Sequence, residues 1–147
     1  NAMSAFNGTT IQKKMSEATA WSTLRGHLKR KGIHMQRIED SMSAGIPDCY
    51  VQYRGGSVWL EGKFVRSMPK LKTTKLKVGL RAEQATWLEG EVLAGGRAGV
   101  WIRVLDGGWF WREGAGVREL VDGVYPDELE RFSTAKEMAE RILEWRR

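Results

Sequence analysis

The sequence predicts an α/β fold, a mixed central sheet with helices packed on it, in the order α-β-β-β-α-β-β-α. Three observations predict it. Apolar residues recur at three- and four-residue steps over 14–31, 81–93 and 134–146, the signature of helices with one buried stripe. Short runs rich in β-branched and aromatic residues lie between those stretches. Glycine pairs at Gly55-Gly56, Gly95-Gly96 and Gly107-Gly108 separate the runs, as turns and helix stops should. With 147 residues, 41% of them hydrophobic, the chain is long enough for one cored domain and too short for two.

In chain order, Asn1-Ala2 ahead of Met3 reads as the remnant of a cleaved tag, and residues 1–12 as a loose N-terminal arm, leaving 13–147 as a single domain. The first helix carries Met15, Ala18, Trp21, Leu24 and Leu28 on one side, with Ser16 as a cap and Gly32 as the stop. Ile33 to Ile38 alternates as a strand, and 39–45 is a loop of turn formers. Cys49 to Tyr53 and Val58 to Phe64 form a hairpin about the Arg54-Gly55-Gly56-Ser57 turn. Residues 65–80 are expected to be a long basic loop with little periodicity. The second helix, from Arg81, buries Ala82, Ala85, Leu88 and Val92 or Leu93. Ala98 to Leu105 and Trp109 to Trp111 are the last two strands, and Ser133 caps the final helix. Core packing accounts for most of the seven tryptophans, with Trp109 and Trp111 beside a turn the open cases.

The formal charge is +6, and it is unevenly spread. Residues 1–38 hold seven Lys/Arg against Glu17 alone, and 64–81 hold six cations and no acid, whereas 106–130 hold seven acids against Arg112 and Arg118. One face is therefore expected to meet a polyanion and another to be solvated and acidic; the plainer alternative is that each run is solvated surface. No apolar run is long enough to span a bilayer, so no membrane role is expected and the chain reads as a soluble intracellular protein. Cys49, the single cysteine, cannot form an internal disulfide and lies in an apolar strand, where a buried structural thiol is expected.

The chemistry concentrates in Gly45-Ile46-Pro47-Asp48 and Glu61-Gly62-Lys63. Side chains alternate along a strand, so Glu61 and Lys63 share a face. A two-residue turn at Gly55-Gly56 pairs Arg54 with Ser57 and sets Asp48 opposite Lys63 and Tyr50 opposite Glu61. Two carboxylates brought together repel, and a hard divalent cation with oxygen ligands relieves that repulsion. Such a cation activates water and polarises a phosphate, and a nearby lysine steadies the charge that develops. The bland alternative is a surface Glu-x-Lys ion pair, worth under about 1 kcal/mol.

Gly45-x-Pro47-Asp48, Glu61-x-Lys63 and then Gln84 in the next helix resemble the PD-(D/E)XK nuclease superfamily, and within it the VRR-NUC and phage Holliday-junction-resolvase-like branch. Arg37-Ile38-Glu39 and Glu17 in an N-terminal helix are similar to that branch as well. The resemblance covers about 14–105 and implies a restriction-endonuclease-like core, with 106–147 as an extension carrying an extra strand and helix. It implies Asp48, Glu61 and the Gly62 carbonyl as Mg²⁺ ligands (Mn²⁺ an alternative), with Glu17 reaching the metal directly or through water. It implies Lys63 as the catalytic lysine and Gln84 as a support of the site or a contact to the DNA backbone. Glu17 has a simpler alternative, a first-turn carboxylate favoured by the helix dipole.

Arg66, Lys70, Lys72, Lys75, Lys77 and Arg81 are the expected DNA-backbone contacts, made without reading sequence. The resulting expectation is a metal-dependent endodeoxyribonuclease acting on branched or structured DNA, working as a homodimer in the cytoplasm of a bacterial or phage-infected cell. The alternative is a non-catalytic DNA-binding module on the same fold.

Overall fold

The computed structural model describes residues 17–38 and 44–145. The arm over 1–12, Met15, the Ser16 cap and most of the 39–45 loop, Glu39 included, lie outside the described residues. Helix α1 spans 17–28. It is followed by β1 (Ile33–Arg37), β2 (Cys49–Tyr53), β3 (Gly56–Val65), α2 (Ala82–Leu93), β4 (Ala98–Val104) and β5 (Gly108–Glu113). A 3-10 turn (Gly114–Arg118), a one-turn α3 (Glu119–Asp122), a second 3-10 turn (Pro126–Glu128), β6 (Glu130–Phe132) and α4 (Ala135–Ile142) complete the order.

The six strands form one sheet in sequence order, antiparallel everywhere except between β3 and β4. A parallel pair needs a crossover, and α2 supplies it. Both faces are covered. On one, α1 and α4 bury Leu24, Leu28, Met138 and Ile142 against Val51, Leu60, Trp101 and Trp111. On the other, α2 and the 76–80 and 117–129 segments bury Leu88, Leu76, Val78 and Leu120 against Val100, Ile102 and Phe110. The mixed sheet flanked by helices is thus the fold class that the hydrophobic periods indicate.

Several local expectations are corrected. The hairpin turn is Arg54-Gly55, not Gly55-Gly56: the register pairs Tyr53 with Gly56 and Cys49 with Leu60. Arg54 and Gly55 both take positive φ, 51° and 79°, as a type I′ turn requires. Gly56 stays in the strand because Trp145 covers it; a Cβ there would lie 2.6 Å from the indole. Asp48 therefore stands level with Glu61 rather than Lys63. The shift is two residues, so the faces are unchanged.

The basic loop does have a period. β3 continues to Val65, and within 75–81 the apolar Leu76, Val78 and Leu80 are buried while Lys75, Lys77 and Arg81 are exposed. Leu76 pairs with Val124 through reciprocal backbone bonds of 2.7 and 3.1 Å, which anchors the segment. On α2 the buried residues are Gln84, Ala85 and Leu88, and Leu93 is 89% exposed. Thr134, not Ser133, caps α4 by accepting from the Glu137 N–H, and the helix stops at Ile142. Trp109 and Trp111 are both buried.

Candidate active site

Three elements meet at the end of β3 that carries Glu61, Gly62 and Lys63. β2 stops at Cys49, so β3 runs on past its partner. Asp48 closes that step: its backbone carbonyl accepts from Ile38 N (2.8 Å), its carboxylate Oδ2 accepts from Gly62 N (2.9 Å), and its own N–H donates to Glu61 Oε2 (3.1 Å). Gly45 and Pro47 deliver it there. Gly45 has φ 86° and lies so close to the first turn of α2 that a Cβ would meet the Glu83 backbone, 2.7 Å from its carbonyl carbon. Only glycine tolerates both conditions.

The start of α2 supplies the third element. Gln84 is buried, and its Oε1 accepts from the Arg81 backbone N–H (3.0 Å), half of a capping box. The same oxygen accepts from Lys63 Nζ (3.1 Å), and Nε2 donates to Glu61 Oε1 (2.7 Å). Lys63 Nζ is also 3.4 Å from Glu61 Oε1. One amide thus fixes the carboxylate and the ammonium together, with every polar atom of Gln84 engaged on a charged or backbone group.

Glu61 is 3% exposed. Burial first, and the neighbouring Asp48 carboxylate second, push its pKa up to about 7 against a partial offset from Lys63. A group that stays protonated to near neutrality in the folded chain but would ionise near 4.5 when unfolded stabilises the fold below that lower value, and this contribution fades as pH rises through about 7. A divalent cation binds the ionised form. Mg²⁺ should therefore raise the melting temperature more at pH 8 than at pH 6, and Glu61→Gln should erase that pH dependence; thermal melts with and without Mg²⁺ at both pH values check it.

Asp48, Gly62 and Lys63 line a cavity of about 360 Å³ with Glu17, Trp21, Arg37, Phe64, Val78, Gly79 and Trp101. Of the predicted site residues, Asp48, Glu61, Lys63 and Gln84 are bonded into one network, and Glu17 lies on the wall of the same cavity. Among the described residues no three His, Cys, Asp or Glu side chains form a closed ligand cluster, so the donor set here is the Asp48–Glu61 pair with Glu17 apart from it. Two hard carboxylates held side by side, one of them resisting ionisation, suit a hard dication.

The six predicted DNA contacts are all exposed. Lys75 sits over the Tyr125 ring (5.7 Å), and Arg81 pairs with Glu83 (3.3 Å), so these two are steered by local partners. Val78 and Gly79 bring that segment to the cavity. The motif resemblance included Arg37 but gave it no role, and the structure sets it on the cavity wall. Its register opposite Cys49, next to Asp48, is the signal that could have placed it there. It lies over the Trp21 ring at 5.8 Å, and Trp21 stacks on Trp101 with centroids 6.0 Å apart. Trp101 in turn occupies the space where a Gly62 Cβ would be, its Cη2 only 2.9 Å from that point.

Fold and site together define a six-stranded mixed α/β domain with an acid–lysine cluster at the free end of a central strand. No protein-family model matches the chain, and no curated protein does. Among solved structures it is similar to that of Hjc, a Holliday junction resolvase from the archaeal hyperthermophile Archaeoglobus fulgidus, at 14% identity and a TM-score of 0.47, covering 88% of this chain and 98% of that one.

Proposed function

We propose that this chain is a divalent-metal-dependent endodeoxyribonuclease that hydrolyses phosphodiester bonds in branched or otherwise structured DNA. The observation that carries the reading is the Asp48–Glu61–Lys63–Gln84 network, in which Glu61 and Gln84 are buried and Asp48 and Lys63 half-buried: two mutually repelling carboxylates and an ammonium are held beside an open cavity. Burial of that kind costs several kcal/mol, about 1–3 for each imperfectly paired polar group, and a purely structural surface ion pair would not require it.

Asp48 and Glu61, with the Gly62 carbonyl, would hold Mg²⁺ or Mn²⁺, and Glu17, which lines the same cavity, would reach the ion directly or through water. When bound, the ion supplies Lewis-acid polarisation of the phosphate and acidification of water. The Gly62 N–H orients the Asp48 carboxylate. Lys63 places positive charge beside the phosphate as negative charge builds on its oxygens. Gln84 keeps Glu61 and Lys63 in register with the start of α2. Lys75, Lys77 and Arg81 project from the segment that borders the cavity, and with Arg66, Lys70 and Lys72 they contact backbone phosphates. The motif resemblance directs the reading to branched DNA. A chain with one such site cuts two paired strands as a symmetric pair of copies, so the active form is a homodimer acting in the cytoplasm.

A plasmid and a four-way junction incubated with Mg²⁺, Mn²⁺ or EDTA test this. Cleavage with either metal and none in EDTA is expected, with the junction preferred. Affinity measured in EDTA should fall steeply between about 50 and 200 mM salt, as counterion release demands. Binding without cleavage in any metal would instead favour the non-catalytic module, for which the exposed cations are the only supporting observation.

A further inference from the structure

Cations approach the cavity beside β3 from both faces of the sheet. The 75–81 segment lies with α2 on one face, where Leu76, Val78 and Leu80 are buried. Helix α1 lies on the other, where Leu24 and Leu28 are buried and Ile33 and Met35 of β1 pack against the same core. Residues 25–37 of this second layer carry Arg25, Lys29, Arg30, Lys31 and Arg37 and no acid. All five are exposed, and no ion pair among the described residues engages any of them. Elsewhere four arginines are neutralised: Arg97 pairs with Glu113, Arg112 with Glu119, Arg118 with Glu89 and Arg141 with Glu130. Like charges gathered on one short hairpin of chain repel one another, and a polyanion relieves that repulsion.

The helical period ties these charges to the cavity. Glu17 and Trp21 line it, and Arg25 and Lys29 follow at the same four-residue step, so they continue that side of α1. The Lys29 N–H still donates to the Arg25 carbonyl (3.0 Å), which keeps Lys29 in the helical row. Arg30 is partly committed, donating to the His27 carbonyl (2.9 Å) at the helix end. Arg37 returns along β1 to the cavity wall, over the Trp21 ring. Burial first, and Asp48 second, raise the Cys49 pKa to about 12, and Arg25 and Arg37 both lie near enough to oppose them. From Trp21 to Lys29 the helix rises about 12 Å. A DNA strand presents a phosphate for about every 3.4 Å of axis, so the row reaches about three nucleotides beyond one at the cavity. We infer that the Arg25–Lys29–Lys31 side of α1 is a second DNA-backbone surface, distinct from the 66–81 segment. The partner it fits is a duplex that runs on past the cavity along α1, held from both faces of the sheet at once. This rests on DNA being the substrate of the site.

The test is the salt dependence of affinity, in EDTA, for a fluorescent duplex several helical turns long. Arg25→Gln with Lys29→Gln lowers the net charge by two; Lys136→Glu, exposed on α4, lowers it equally and touches neither basic segment. The double variant should flatten the slope of log affinity against log salt by about 1.8 and weaken binding on the order of 50-fold near 0.1 M salt. Lys136→Glu should leave the slope as it is. Melting temperatures should move by no more than about 2 °C, because the substituted side chains are exposed. An unchanged slope in the double variant, or an equal fall in Lys136→Glu, overturns the inference. Lys70→Gln, Lys72→Gln and Lys77→Gln together should flatten the slope as well. A fall there with none from Arg25 and Lys29 refutes the second surface and leaves the DNA reading standing, whereas a wild-type chain that binds no duplex overturns both. A fall in the double variant alone among the charge-matched pair supports the surface even where Mg²⁺ yields no cleavage, an outcome that counts against the nuclease reading only.

Discussion

Lys63→Ala should lower the single-turnover cleavage rate at saturating Mg²⁺ by about 10²–10³-fold, and Glu61→Ala should lower it at least as far. Removing one group that meets developing charge in a water-poor site has that typical magnitude. The two variants should then part company. Lys63→Ala leaves both carboxylates in place and should still take up metal, whereas Glu61→Ala removes half of the Asp48–Glu61 pair and should weaken metal uptake as well. Binding of DNA in EDTA depends on the exposed cations and should change little in either. Were the Glu61–Lys63 contact only structural, both substitutions would cost stability and leave the cleavage rate of the folded protein unchanged. Single-turnover rates beside Mn²⁺ titrations of the three proteins separate these cases.

The second large effect is on stability. Gly62→Ala places a methyl group inside the Trp101 indole, which is itself pinned between Trp21 and Trp109 at centroid distances of 6.0 and 5.9 Å. Overpacking in a tight core costs about 1–3 kcal/mol. The melting temperature should therefore drop by several degrees, at about 2–4 °C per kcal/mol for a chain of this size. Trp101→Leu removes the obstruction, so Gly62→Ala should cost less on that background than in the wild type. A double-mutant cycle measures the coupling, and strictly additive losses would show that the indole does not hold the strand.

The motif was legible in the sequence because parity survives error. The hairpin turn reads one way from Gly55-Gly56 and another from Arg54-Gly55, but the two registers differ by two residues, so Asp48, Glu61 and Lys63 keep one face in either. Gln84 was legible only through the motif resemblance; that it reaches back from the third position of α2 to the Arg81 N–H is a contact the structure adds. The 75–81 alternation was obscured by composition: three cations between buried Leu76, Val78 and Leu80 look like a charge run until Val124 is known to lie alongside.

β6 has three residues and no periodicity to detect, and its place is set by pairing with Trp109 and Trp111. The 106–147 stretch had no evident role in the sequence; it adds β5 and β6 to the sheet, α4 to one face and the 117–129 segment to the other. The Gly62–Trp101 fit and the Trp21–Trp101 stack were not legible at all. They depend on the parallel pairing of β3 with β4, which sets Gly62 beside Trp101, and neighbours in space across a crossover leave no local signal.

The central claim is that Asp48 and Glu61 hold a divalent cation for phosphodiester hydrolysis. Anomalous scattering from a crystal soaked in Mn²⁺ at pH 8, above the value to which burial raises Glu61, tests it most directly. A single strong peak shared by the Asp48 and Glu61 carboxylates, on the cavity side of Gly62, is the predicted result. Mn²⁺ bound only elsewhere, with the Glu61–Lys63–Gln84 network undisturbed, would contradict it.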